Sequence, residues 1–196
     1  MKPTAAIDAC ATSHQLLLAG LAPLDDGDFR APCLLPTYSR GQLVTHVANK
    51  ARAHVRIFEG AAVGEVRRIH PDGYDPDQAA GAGATRPATE LRADLADCLQ
   101  LLEGAWAALD EEQWAARGIM AAGPRTMVEI IGHHLRNIEV HHVDLDIGHR
   151  PSDWPALLVE TELPKRLRAL PDRASRADLL AWLIGRGPAP DLLGEW

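Results

Sequence analysis

The amino-acid sequence predicts an all-α protein built as a four-helix bundle, and three observations predict it. Four long segments carry apolar residues at helical spacing, no stretch alternates as a strand would, and the apolar residues are those that helix packing favours. Hydrophobic residues make up 46% of the chain but aromatics only 5%, so the core must consist largely of Leu, Ala, Val and Ile. The 196 residues fit one domain, or one domain with a small appendage. We place the bundle in residues 1–150 and a short C-terminal segment in residues 151–196.

The first helical stripe is Ile7, Cys10, His14, Leu17, Leu18 and Leu21, stopped by Asp25, Asp26, Gly27 and Asp28. A loop bearing Pro32 and Pro36 comes next, and Ser39 is a natural N-cap for the second helix. The main stripe of that helix reads Leu43, Val44, Val47, Ala48, Ala51, Val55 and Phe58, ending near Gly60. Residues 71–87 are rich in Gly, Ala, Asp and Pro and read as a long loop. A third helix starts after Thr89, with Leu91, Leu95, Cys98, Leu102, Trp106 and Leu109 on one face. Asp110, Glu111 and Glu112 read as a solvated helix end. The fourth helix opens on a T-x-x-E capping box, Thr126 to Glu129, and Gly148 suits its C′ position. Beyond it Pro155 suits the first turn of a short helix, Pro164 and Pro171 interrupt the residues after that turn, and Ser175 with Asp178 starts a last helix.

Composition narrows the partners. The 27 acidic and 20 basic residues give a net charge of −7, which nucleic acid and anionic membranes would repel. No run of about 20 apolar residues and no signal peptide is evident, so a cytoplasmic location is expected. Cys10, Cys33 and Cys98 form no CxxC pair and read as free thiols, with Cys33 structural.

The chemistry lies in the histidines. There are nine, and His133, His134, His141 and His142 share the fourth helix. At about 100° per residue, His134 and His141 fall within its apolar face, Asn137 lies at the edge one turn before His141, and Glu139 points elsewhere. His46 sits off the main stripe of the second helix, beside Leu43, Ala53 and Ile57 but also Lys50, so periodicity permits a bundle-facing ring without requiring it. His54 is equally open. Imidazoles from two helices are a reasonable divalent-metal site, with zinc the first choice; the plainer reading is core-edge histidines bonded to neighbours, which is also the reading for His14. His70 and His149 fall near loops and read as solvated.

Three stretches resemble known ones. Leu35 to His46 (LPTYSRGQLVTH) resembles the "GWTRGHLLTH" segment of the mycothiol-dependent maleylpyruvate isomerase family, within the DinB-like superfamily. Glu139 to Leu145 (EVHHVDL) resembles its "EVHHVDL" segment, and Asp178 to Arg186 (DLLAWLIGR) its "LLAWLTGR" segment. The resemblance implies a DinB-like four-helix bundle holding a metal through a His of the second helix and an E-x-x-x-H pair of the fourth. By position the ligands fall on His46, Asn137 and His141, with Asn137 standing where the family has Glu. An amide oxygen can coordinate but brings no charge, so zinc should bind more weakly. Arg186 matches the family's arginine and is the candidate to contact an acidic substrate or thiol. The implied function is a thiol-dependent, mycothiol-type isomerase or S-transferase acting on a small electrophile through a metal-bound thiolate. The alternatives are a metal-free small-molecule-binding protein or a metal-independent enzyme on the same bundle. Mycothiol or a similar thiol would be the cosubstrate, with a homodimer left open.

Overall fold

The computed structural model describes residues 1–81 and 83–190. Its contacts divide the chain into two units, one spanning Met1–Trp154 and one beginning at Pro155.

In the first unit the long helices are α1 (Thr4–Leu21), α3 (Arg40–Ala62), α5 (Ala88–Ala107) and α6 (Met127–Asp144), with short helices α2 (Asp26–Arg30) and α4 (Pro76–Gly81) between them. The four long helices close a ring, since α1 packs on α6, α6 on α3, α3 on α5 and α5 on α1. The stripes anticipated from periodicity face its centre. Cys10, Leu17, Leu43, Val47, Phe58, Leu95, Leu102, Trp106, Ile130, Ile131 and Ile138 are all buried. Local chemistry starts these helices where expected. Ser39 and Gln42 form a reciprocal capping box for α3, and Thr126 and Glu129 one for α6.

Several elements differ from the expectation. The acidic run after α1 does more than stop it, because Asp25 accepts from the backbone N–H groups of Gly27 and Asp28 and so caps α2. The stretch 71–87 contains α4, started at Pro76. A hairpin, β1 (Arg117–Met120) and β2 (Gly123–Thr126), stands where no strand was expected. Four-residue strands that hold Gly118, Gly123 and Pro124 give no alternating signal; tertiary contacts make them. Ile119 exchanges backbone hydrogen bonds with Arg67 and Ile69, and a side chain at Gly118 would collide with Ile57 on α3. Helix α6 is followed by its C-cap Leu145, and the left-handed residue directly after that is Asp146 (φ +55°), with Gly148 (φ +104°) two residues further on. Asp can take this conformation because its short side chain bonds locally.

The second unit holds α7 (Ala156–Arg173) and α8 (Arg176–Leu183). Helix α7 runs through Pro164 and Pro171 rather than stopping there. The carbonyls that these prolines leave without a donor belong to Glu160 and Leu167, both on exposed residues where water can satisfy them. Ser175 accepts from the Asp178 N–H and caps α8. Among the described residues no helix is long and apolar enough to cross a membrane.

Candidate functional site

Helices α3 and α6 run antiparallel, and Arg40 fixes their register. Its Nε donates to the Leu145 carbonyl at 2.7 Å and its Nη2 to that of Asp146 at 3.2 Å, so a cation at the start of α3 caps the end of α6. Moving along α3 from this clamp, the helix presents His46 and, two turns later, His54. Moving back along α6, it presents His141 and, two turns earlier, His134. The two pairs meet at two levels of the bundle.

At the first level the rings of His46 and His141 meet edge to face, with centroids 5.2 Å apart. His141 Nδ1 lies 2.9 Å from Asp144 Oδ2. A carboxylate can only accept here, so Nδ1 carries a proton and Nε2 is the nitrogen that can offer a lone pair to a ligand, the usual arrangement behind a metal-binding imidazole. Burial, then His141 and Lys50, push the His46 pKa down to about 4, so this ring is neutral at pH 7. Asn137, one turn before His141, has a buried Oδ1 with no hydrogen-bond partner among the described residues. Lys50, one turn along α3 from His46, is half-buried, and burial with Arg136 nearby lowers its pKa. The level thus offers two imidazole lone pairs, an unsatisfied amide oxygen and a cationic border. Among the described residues no three His, Cys, Asp or Glu side chains gather as metal ligands.

The second level is fully closed. His134 lies between two other histidines, its Nε2 2.8 Å from His14 Nε2 on α1 and its Nδ1 3.2 Å from His54 Nδ1. His14 Nδ1 in turn meets Glu103 Oε1 of α5 at 2.7 Å. Trp106 packs against both His14 and His134. Periodicity placed His134 inside and read His14 as bonded to neighbours, but it did not join them into a chain with His54. The signal that could have done so is the spacing. Histidines eight apart on one helix and seven apart on an antiparallel one fall at the same two levels.

A third cluster ties the chain segment after α6 to the bundle. Glu139, turned away from His46 as its angle requires, is buried, accepts from Ser13 on α1 and meets His149 Nε2 at 2.7 Å. His149 stacks on His142 with centroids 3.9 Å apart. Its side chain is only 7% exposed, so the solvated position expected for it is wrong; the segment folds back and buries the ring against Glu139. His70 is half-buried and stacks on Tyr74. Glu139→Ala removes a buried acceptor from two partners and is expected to cost about 2–4 kcal/mol. Urea unfolding reads this, and a loss under about 0.5 kcal/mol would contradict the clamp.

Cys33 Sγ donates to the Leu35 and Tyr38 carbonyls and its pKa is raised, mainly by burial, which fits a structural thiol. Arg186 lies in the second unit, exposed, with its guanidinium donating to the Gly185 carbonyl.

These features define a four-helix bundle with a histidine site between its second and fourth long segments. Residues 10–146 match the family described as the mycothiol maleylpyruvate isomerase N-terminal domain, and the chain belongs to that family. No curated protein matches the sequence. Among solved structures, the mycothiol-dependent maleylpyruvate isomerase superposes with a TM-score of 0.76 at 22% identity, over 81% of this chain and 66% of that one. A histidine-to-alanine mutant of such an isomerase gives a TM-score of 0.76 at 21% identity over the same shares. The chain therefore spans just under two thirds of the length of these structures.

Proposed function

We propose that the chain is a thiol-dependent isomerase or S-transferase whose site lies at the meeting of His46 and His141. One observation carries this reading. Two imidazoles from different helices face each other, and a buried amide oxygen one helical turn from His141 has no partner among the described residues. Such a donor set suits an added ligand better than it suits a finished core, since most buried polar atoms in folded proteins have a partner. His46, His141 and Asn137 would hold a divalent metal such as zinc. When bound, that ion supplies the positive charge that lets a thiol ionise at neutral pH.

The chain's own residues do the rest. Asp144 accepts from the His141 Nδ1–H and so leaves Nε2 as the nitrogen that can ligate. Burial keeps His46 unprotonated, so it does not repel a cation. Lys50 and Arg136 set a positive field that favours a carboxylate-bearing thiol or substrate. The thiolate sulfur adds to an electrophilic carbon; rotation and loss of the same sulfur give an isomer, and retention gives a conjugate.

Mycothiol-dependent turnover of maleylpyruvate tests the reading. Activity that falls on the order of 100-fold or more in both His46→Ala and His141→Ala supports it. Turnover that ignores both substitutions overturns it. The absence of a carboxylate at Asn137 favours one rival, a binding module that keeps the pocket without metal. That rival predicts ligand binding, no turnover, and indifference to a chelator.

A further inference from the structure

The histidines of the second level take no part in the proposed chemistry, yet the hydrogen-bond pattern there has only one consistent assignment of neutral rings. Glu103, whose side chain is 43% exposed, can only accept as a carboxylate, so His14 carries its proton on Nδ1. His14 Nε2 is then a lone pair, and His134 must donate to it from Nε2. His134 Nδ1 is then a lone pair, and His54 must donate to it from Nδ1. His54 Nε2 is left as a lone pair, buried, with no partner among the described residues. All three hydrogen bonds point the same way, towards Glu103. The three rings come from α1, α6 and α3 and are 0–2% exposed.

We propose that His54, His134, His14 and Glu103 form a proton relay through the bundle, with an inner terminus at His54 Nε2 and an outer one at Glu103. In an outward passage a proton bonds to His54 Nε2, and His54 releases its Nδ1 proton to His134 Nδ1. His134 releases its Nε2 proton to His14 Nε2, and His14 releases its Nδ1 proton to Glu103, which loses it to water. One proton enters, one leaves, and each ring ends neutral with its proton on the other nitrogen. An inward passage from Glu103 restores the first arrangement without any ring turning over. The relay is therefore suited to alternating release and return of one proton.

A thiol that must ionise before addition and be reprotonated on leaving makes that demand, and this use of the relay rests on the function proposed above. Lys50 lies on α3 one turn from His46 and one turn from His54, between the first level and the inner terminus. The relay itself does not depend on what the site turns over.

Nitrogen NMR on protein labelled in its histidines tests it without substrate. At pH 7 the expected pattern is Nδ1–H on His14, Nε2–H on His134 and Nδ1–H on His54. The His134 ring should nonetheless exchange between this tautomer and the Nδ1–H one as protons pass to and from Glu103, which relaxation dispersion of its nitrogens reads. Glu103→Gln removes a partly exposed acid, so folding is not at risk, and it leaves a side chain that can accept a hydrogen bond but cannot carry a proton. Exchange at His134 is expected to slow by on the order of tenfold or more. A different tautomer or an imidazolium at His134, or exchange unchanged in Glu103→Gln, would overturn the relay. None of these outcomes bears on thiol-dependent turnover, so the two ideas fail separately.

Discussion

Asn137→Glu is expected to raise the affinity of the His46–His141 pair for zinc by on the order of 100-fold or more. The substitution puts a carboxylate one turn before His141, where an uncharged oxygen now lies buried and unpartnered among the described residues. Two neutral imidazoles and an amide leave the full charge of a divalent ion uncompensated; a carboxylate cancels half of it at bonding distance. The substitution should have the opposite effect on the metal-free protein. A buried carboxylate beside two imidazoles and no cation is destabilising, so the metal-free variant should melt below the parent, and zinc should reverse the order. Calorimetric zinc titration and thermal melts with and without metal read both effects. Unchanged zinc affinity would mean that Asn137 does not share a site with His46 and His141.

The protein should also lose a large part of its stability between pH 7.5 and pH 5. Burial pushes the His54 pKa down to about 3 and that of His134 well below the usual histidine value, with neighbouring charges adding to both shifts. In the unfolded chain both rings protonate near pH 6.5. Below that pH the unfolded state binds protons that the folded state refuses. The stabilisation is therefore complete above about pH 6.5 and drains away as pH falls towards the folded-state value. From a folded value of about 3, His54 alone gives a loss of about 2 kcal/mol at pH 5. His134 moves in the same direction. Against a total of about 5–15 kcal/mol for a domain, this is a steep acid sensitivity. Urea midpoints that stay flat across the interval would mean that these rings are not buried neutral.

Much of this architecture could be read from the chain alone. The four stripes, the Ser39 and Thr126 caps and the inward faces of His134 and His141 come from helical spacing, which local sequence encodes. The hairpin at 117–126 could not be read, because its strands exist only through contacts with Ile57, Arg67 and Ile69. The path of α7 through two prolines depends on solvent around Glu160 and Leu167, which composition does not report. Within the site, spacing left His46 and His54 ambiguous, since Lys50 shares the face of His46 and His54 only adjoins the stripe at Val55. The register of α3 against α6 resolves them, and Arg40 sets it at a separation of over a hundred residues. The buried position of His149 depends on the same kind of distant pairing, through Glu139 and His142.

Cobalt(II) is the most direct probe of whether His46 and His141 act as one site for a thiol, because its visible bands report imidazole ligation and its near-ultraviolet bands report a thiolate. The protein loaded with cobalt should show the first, gain the second on addition of mycothiol, and lose both when either histidine is replaced by alanine. A cobalt spectrum that neither substitution alters, or one that no thiol perturbs, would place the chemistry somewhere other than between these two rings.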